Sequence, residues 1–357
     1  MNKIRVLIID DSVLIRKILT EILNSSPDIE VIGVAADPLI AREMIKQLRP
    51  DVLTLDIEMP HMDGITFLRN LMRLRPTPVV MISMLTEKGA EVTLEALTIG
   101  AVDFIAKPKA NVANTLNDYA DEIIDKVKIA ARANLSNIAA ARTLKTRAED
   151  KVPAAANLKA APAKKLITYS NTLIALGAST GGTEAIKVVL KGLPANTPAV
   201  VITQHLPAAF SDSFVRHINL IAAMTACIPK DGQIVEVGNI YLAPGDRHMT
   251  VNRDGIRYVI RLHDTEPVNR HKPAVDVMFR SVAHSAGGNA IAVLLTGMGA
   301  DGAAGMKEMH DVGAKTVVQD EQTSVVWGMP GAAFKLGCAD YVLPLEDVAN
   351  RILTWVK

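Results

Sequence analysis

Short aliphatic runs that end on a charged or hydroxylated residue set the plan of the first 107 residues. Val6-Leu7-Ile8-Ile9 runs into Asp10-Asp11, and Val52-Leu53-Thr54-Leu55 runs into Asp56. Val79-Val80-Met81-Ile82 runs into Ser83, and Asp103-Phe104-Ile105-Ala106 runs into Lys107-Pro108. Each run is short, rich in β-branched residues and followed by helical spacing, which predicts strands buried on both faces of a parallel sheet. In such a sheet the ligand crevice lies beyond the carboxyl ends of the strands. Three carboxylates, a hydroxyl and an ammonium group therefore converge there. Carboxylates that close need a cation between them, or one must keep its proton. The set suits a Mg2+ site with a reactive aspartate and a lysine to meet an incoming phosphoryl group. Asp and Ser at strand ends also cap helices. That role suffices for one residue, but not for a whole set in order.

At this point the chain resembles the receiver domain of two-component response regulators. The residues that carry the resemblance are Asp10-Asp11-Ser12, Leu55 to Pro60 with Asp63-Gly64, Ser83, and Lys107-Pro108, within about residues 3–125. The resemblance implies a flavodoxin-like, doubly wound fold with Asp56 as phospho-acceptor. It implies that Asp10, Asp11, Asp56 and the backbone carbonyl of Glu58 hold Mg2+. Ser83 and Lys107 would contact the phosphoryl oxygens, and Phe104 sits where many receivers carry a switch aromatic.

With 357 residues, two domains are expected. After Lys107-Pro108 an apolar face runs through Leu116, Tyr119, Ile123, Ile124, Val127 and Ile129-Ala130. Ala148 to Lys165 then loses all periodicity; it is mostly Ala, Pro and Lys and reads as an exposed linker. The expected division is 1–125 for the first domain, 126–168 for a helical extension and linker, and 169–357 for the second domain. A formal net charge of +1 leaves no strong field for nucleic acid or an anionic membrane. No stretch reaches the roughly 18 uninterrupted apolar residues of a membrane span. No secretory signal precedes the first strand. Cys227 and Cys338 lack metal-ligand spacing and read as buried, reduced thiols. Together these predict a cytoplasmic protein that neither inserts in membranes nor binds nucleic acid.

The second half again alternates strand-like and helical runs. Strands are expected at 173–176, 199–202, 240–242, 256–260, 291–295, 316–318 and 341–343, with helices following Gly182, Ala208, Pro273 and Gly302. Between about 225 and 265, Asp231-Gly232, Pro244-Gly245 and Asp254-Gly255 suggest an antiparallel excursion. The expected fold is an α/β domain with a mostly parallel sheet and a β-hairpin insert.

Three side chains stand out just past its strands. Ser179, in Gly177-Ala178-Ser179-Thr180-Gly181-Gly182, occupies a tight strand-to-helix turn near free N–H groups. A serine needs a base, and His205 follows the next apolar run. Asp301, in Gly297-Met298-Gly299-Ala300-Asp301-Gly302, completes a nucleophile, base and orienting acid. Each also has an ordinary reading as a cap or a structural hydrogen-bonder. The last segment fits G-x-G-x-x-G too, with Asp320 downstream, and a dinucleotide site stays open as an alternative. Against it, Asp301 would put an acid beside a pyrophosphate. The order Ser179, His205, Asp301 is not that of α/β-hydrolases.

The order and motifs resemble the chemotaxis response regulator protein-glutamate methylesterases. Gly177 to Gly182, Gln204-His205, Leu242 to Gly245, His271 to Phe279, Leu295 to Gly302, Gln319-Asp320 and Gly328 to Pro330 all take part. The resemblance implies a serine esterase that frees methanol from methylglutamates of methyl-accepting chemoreceptors and also deamidates receptor glutamines. It implies Ser179 as nucleophile, His205 as base and Asp301 as orienter. The N–H groups of Met298 and Thr180 would serve the oxyanion, with His271 and Asp276 in support and no cofactor for the ester chemistry. A histidine kinase would supply the phosphoryl group. A DNA-binding output domain is the commoner companion of a receiver, but this half has no basic recognition helix.

Overall fold

The computed structural model of the chain describes residues 3–84, 86–107, 116–133 and 171–356. Pro108 and the expected linker at 148–165 lie outside the described residues. The chain divides into two compact units at about residue 135. No helix among the described residues is long and apolar enough to cross a membrane.

The first unit alternates β1 (Ile4–Ile9), α1 (Val13–Ser25), β2 (Ile29–Ala35), α2 (Pro38–Leu48), β3 (Val52–Asp56) and α3 (Gly64–Leu74). It continues with β4 (Val79–Ser83), α4 (Glu87–Ile99), β5 (Asp103–Ala106) and α5 (Leu116–Ala130). The parallel sheet has the order β2-β1-β3-β4-β5, the flavodoxin-like arrangement with its switch point between β1 and β3. Every residue of β3 and β4 is buried, which explains their unbroken apolar runs. The polar residues after the strands do cap helices. Ser12 accepts from Ile15 N–H, Asp37 from Leu39 and Ile40 N–H, Asp63 from Thr66 N–H, and Thr86 from Gly89 N–H. Asp10, Asp11 and Asp56 are not among these caps, so their presence needs another cause.

The second unit contains β6 (Leu173–Ala178), α6 (Gly182–Lys191), β7 (Val200–Gln204), α7 (Ala208–Asn219), β8 (Thr225–Cys227) and β9 (Asn239–Leu242). Then come β10 (His248–Asp254), β11 (Arg257–His263), α8 (Val275–Ala286), β12 (Ala290–Leu294) and α9 (Ala303–Asp311). The chain ends with β13 (Lys315–Gln319), α10 (Met329–Lys335), β14 (Tyr341–Leu343) and α11 (Leu345–Trp355). Seven strands form a wholly parallel sheet, ordered β14-β13-β12-β6-β7-β9-β8. Phe279, Met278 and Val282 of α8 are fully buried with Met249 and Val251 of β10 and with Ala175 and Ala292 of the sheet. Each large side chain buried in this way contributes about 1.5–3 kcal/mol.

The antiparallel excursion is smaller than the sequence suggested. Only β10 and β11 form a hairpin, paired from His248 with His263 to Asp254 with Arg257. β8 and β9 extend the parallel sheet instead. Of the turn signals, Asp254-Gly255 closes the hairpin, with Gly255 at φ 59. Asp231-Gly232 fastens a loop to β11, through Asp231 Oδ1 and Leu262 N–H. Pro244-Gly245 lets the chain after β9 pass the start of α7, where a Cβ on Gly245 would lie 2.3 Å from Leu206 O. Ile256, read as a strand residue, is 70% exposed in the hairpin turn.

Candidate functional site

Chemistry-bearing groups gather at the strand carboxyl ends of both units. In the first, Asp10 follows β1 and Asp56 ends β3, both fully buried, while Asp11 is exposed. Oxygens of all three lie within 4.8 Å of one another. Lys107, just past β5, places Nζ 2.6 Å from Asp56 Oδ2 and 3.5 Å from Asp10 Oδ2. Asp10 Oδ1 accepts from Ser12 N–H, but the buried Asp10 Oδ2 accepts no hydrogen bond. One ammonium facing two buried carboxylates, one of them with an unsatisfied oxygen, is a donor set short of positive charge. Oxygen ligands of this kind fit a hard divalent cation. Glycine is required at 64, because a Cβ there would stand 2.0 Å from Asp56 O.

Burial raises the Asp56 carboxyl to about 6, with the Asp10 charge adding and Lys107 opposing. Because the folded value exceeds the unfolded one, ionised Asp56 works against folding above about pH 6. That cost fades as the pH falls toward the ordinary carboxylate range. The shift corresponds to about 3 kcal/mol at most. Asp56→Asn is therefore expected to raise the thermal stability of the first unit at pH 7.5 in chelator, with the gain shrinking to nothing near pH 4. Thermal unfolding followed across that range checks this; a destabilised variant at pH 7.5 would contradict the charge argument.

The other residues singled out in this unit surround the cluster in different ways. Ser83 is buried at the end of β4, its Oγ 2.7 Å from Thr93 Oγ1. Phe104 is buried, with Lys126 Nζ 4.9 Å from its ring centroid. Glu58 is exposed, just beyond Asp56.

In the second unit the three candidates come from adjacent strands. Ser179 follows β6 in a turn that Gly181 makes possible at φ 76. The turn is pinned by Ser179 N–H to Thr296 O at 3.0 Å, and Ser179 O accepts from Gln204 Nε2 at 2.9 Å. Gly297 lets the segment after β12 pass close by, since a Cβ there would be 2.8 Å from Ser179 Cβ. His205, beyond β7, brings Nδ1 to 3.1 Å from Ser179 Oγ and Nε2 to 2.8 Å from Asp301 Oδ2. The ring thus shows Nδ1 to the serine, the reverse of the best-known serine protease arrangement. Either nitrogen can take a proton when a carboxylate holds the other.

Asp301 is 2% exposed. Its Oδ2 also accepts from Val275 N–H at 2.7 Å, and its Oδ1 from Asp276 N–H at 3.1 Å, at the start of α8. Burial alone would raise its pKa, but His205, Asn269 and the Val275 N–H hold the carboxyl well below its usual range. It is an anion at neutral pH. Asp301 is turned onto an imidazole and the start of α8 as a buried anion, which argues against a pyrophosphate beside it and so against the dinucleotide alternative. The ring of His271 stacks on His205, centroids 3.7 Å apart at 14°. Asp276 Oδ1 accepts from Gly305 N–H at 2.7 Å, so this acid ties α8 to α9 rather than facing the serine. Thr180 is buried beside Ser179. Met298 N–H donates to no acceptor among the described residues.

Sequence reasoning missed Asn269. Its Nδ2 lies 2.8 Å from Asp276 Oδ2 and 2.9 Å from Asp301 Oδ1. It sits two residues before the His271 motif in a stretch with no period. A serine, an imidazole and a buried carboxylate in hydrogen-bonded series can carry a proton from the hydroxyl and so support acyl transfer.

Comparison with known proteins identifies the domains that carry the two sites. A family model described as CheB methylesterase matches residues 174–352, and one described as response regulator receiver domain matches residues 6–116. A protein-glutamate methylesterase/protein-glutamine glutaminase of Hydrogenovibrio crunogenus is 53% identical, covering 100% of both chains. One from Xanthomonas campestris pv. campestris is 56% identical over 98% of this chain and 96% of its own. The crystal structure of the Thermotoga maritima CheB methylesterase catalytic domain aligns with a TM-score of 0.51 and 33% identity, covering 52% of this chain and 100% of that one. With a receiver domain at one end, a methylesterase domain at the other and full-length relatives spanning both, the chain belongs to the family of protein-glutamate methylesterases/protein-glutamine glutaminases.

Proposed function

We propose that the chain hydrolyses glutamate methyl esters on methyl-accepting chemoreceptors, under control of phosphorylation at Asp56. The observation that carries this is the series Ser179 Oγ, His205 and Asp301, joined at 3.1 and 2.8 Å. Ser179 Oγ attacks the ester carbonyl while His205 Nδ1 takes its proton. His205 then returns that proton to the methoxy oxygen, the C–O bond breaks and methanol leaves. Water, deprotonated by the same ring, attacks the acyl-serine and frees the glutamate and Ser179. With a glutamine side chain the leaving group is ammonia, and the same groups serve deamidation. Asp301 holds the ring and balances the imidazolium. The N–H groups of Met298 and Thr180 would receive the oxyanion.

In the receiver, Asp56 accepts a phosphoryl group from a chemotaxis histidine kinase. Asp10, Asp11, Asp56 and the Glu58 carbonyl would hold Mg2+, whose charge would offset the negative charge gathered there. Lys107 and Ser83 meet the phosphoryl oxygens. The added charge of about −1.5 to −2 competes for the ammonium that now serves Asp56 and Asp10. Phe104, next to this change, is the candidate to pass it on. The expected partners support a cytoplasmic location.

The test is methanol release from methylated receptor by the full chain, with and without a small-molecule phosphodonor and Mg2+. The parent is expected to speed up with the donor. Asp56→Asn is expected to take up no phosphoryl group and to show no response to it. A variant that still responded would place the phospho-acceptor elsewhere, and a parent releasing no methanol would overturn the esterase reading.

A further inference from the structure

Two buried carboxylates, Asp276 and Asp301, share one amide. They are 4% and 2% exposed, and Asn269 Nδ2 donates to one at 2.8 Å and to the other at 2.9 Å. An amide nitrogen carries two donors and no charge. It can therefore hold two carboxylates without neutralising either. A lysine or arginine in its place would take up the charge that Asp301 must offer to His205. The two other protein donors to Asp301 besides His205 are the backbone N–H groups of Val275 and Asp276, also neutral. The carboxylate is thus hydrogen-bonded by three uncharged groups and, among the described residues, by one titratable group, His205.

The local backbone is built around this contact. Asn269 and Arg270 both lie at positive φ, 54 and 67. Val268 and His271 exchange backbone hydrogen bonds across them at 3.0 and 2.9 Å. This is a two-residue hairpin turn of the kind that favours Asn at its first central position. The turn sets the Asn269 amide on Asp301 and, two residues later, the His271 ring on His205. Asp276 anchors the far side, through Oδ1 and the Gly305 N–H in α9.

We infer that Asn269 is a positioning residue of the esterase site, keeping Asp301 ionised and aimed at His205 by bridging it to Asp276. This rests on the assignment of Ser179, His205 and Asp301 as nucleophile, base and orienting acid. The charged and titratable groups facing the pair are His205 after β7, His271 in the turn, and Asp276 and Arg280 on α8; Arg280 interacts with both carboxylates. Without the amide, the Asp301 charge is less stabilised and binds the imidazolium harder. The pair then holds its proton to higher pH, which moves the acid limb of the rate profile up. The result is the same whichever member of the coupled pair is said to titrate.

The experiment is steady-state methanol release from methylated receptor by the full chain across pH. Asn269→Gly keeps a residue suited to positive φ and removes only the amide. It is expected to lower kcat by about 10- to 100-fold, the worth of a hydrogen bond to a charged group, and to leave KM within about twofold. The acid limb of its kcat profile is expected to move up by about one pH unit. Asn269→Asp also tolerates the turn but puts a third acid against the pair, and its acid limb is expected to move further. It answers the same question should the glycine variant melt below the assay temperature. In an Asp301→Asn background, Asn269→Gly is expected to cost little more, because its effect runs through that carboxylate. A parental kcat and acid limb in Asn269→Gly, or fully additive losses in the double variant, would overturn the inference. Parental turnover in Asp301→Asn would instead overturn the assignment beneath it.

Discussion

Ser179→Ala is expected to reduce methanol release from methylated receptor by between about 10^4- and 10^6-fold, leaving the fold and Asp56 phosphorylation as they are. The size follows from the role: without the hydroxyl no acyl-serine forms, and what remains is stabilisation of the oxyanion and binding. The fold should be indifferent. The turn is held by the backbone of Ser179, through Thr296 O and the Gln204 side chain, not by its hydroxyl. The hydroxyl itself reaches only His205. A serine-reactive phosphonate is expected to label the parent once, at this residue, and to leave the variant unlabelled. Turnover near the parental rate would remove Ser179 from the chemistry whatever the labelling showed.

Asp301→Asn is expected to cost about 10^4-fold in kcat, the scale seen when an amide replaces the acid of such a triad and favours the wrong imidazole tautomer. The surroundings sharpen the expectation. Asp301 accepts from His205, Val275 N–H, Asn269 and Asp276 N–H, two donors on each oxygen. An asparagine offers one accepting oxygen, so its NH2 must point at donors whichever way it is turned. A loss of about 1–3 kcal/mol of stability should accompany the loss of rate. Thermal unfolding separates the two effects, because a variant folded at the assay temperature and still slow has lost chemistry rather than structure. A rate within about tenfold of the parent would show that another acid serves His205. Asp276 would be the first to test, although its carboxylate is turned toward Gly305 and Asn269.

The residues that could be found from sequence share one property. Asp10, Asp56, Ser179, His205 and Asp301 each end or closely follow an apolar strand, and a parallel sheet delivers such residues to one edge. Run boundaries alone therefore brought them together. Asn269 reaches the site differently, through a two-residue turn whose backbone hydrogen bonds leave no periodic trace, and His271 is named only through the resemblance. The strand β8 has three residues, too few to show alternation, and turn dipeptides could not say that β9 joins the main sheet. The helix α10 is not among the expected helices, because Gly328, Pro330 and Gly331 are poor helix formers; the proline occupies its first turn, where no N–H is missed. Asp276 is named as a supporting residue by the resemblance, within the His271 to Phe279 motif, and its bond to Gly305 is visible only in three dimensions.

The strand order of the second sheet bears on synthesis. The strand that delivers the nucleophile, β6, lies between β7 and β12, which deliver the base and the acid. Along the polypeptide these appear in the order nucleophile, base, acid, with the hairpin and α8 before the last. A ribosome releasing the chain from its amino end therefore exposes serine and histidine long before their partner. A product cut short ahead of β12 has an unpaired edge on β6, and one cut short ahead of Asp301 has no carboxylate against the imidazole. If Asp301 is the orienting acid, hydrolysis of receptor esters is expected only from a nearly finished molecule.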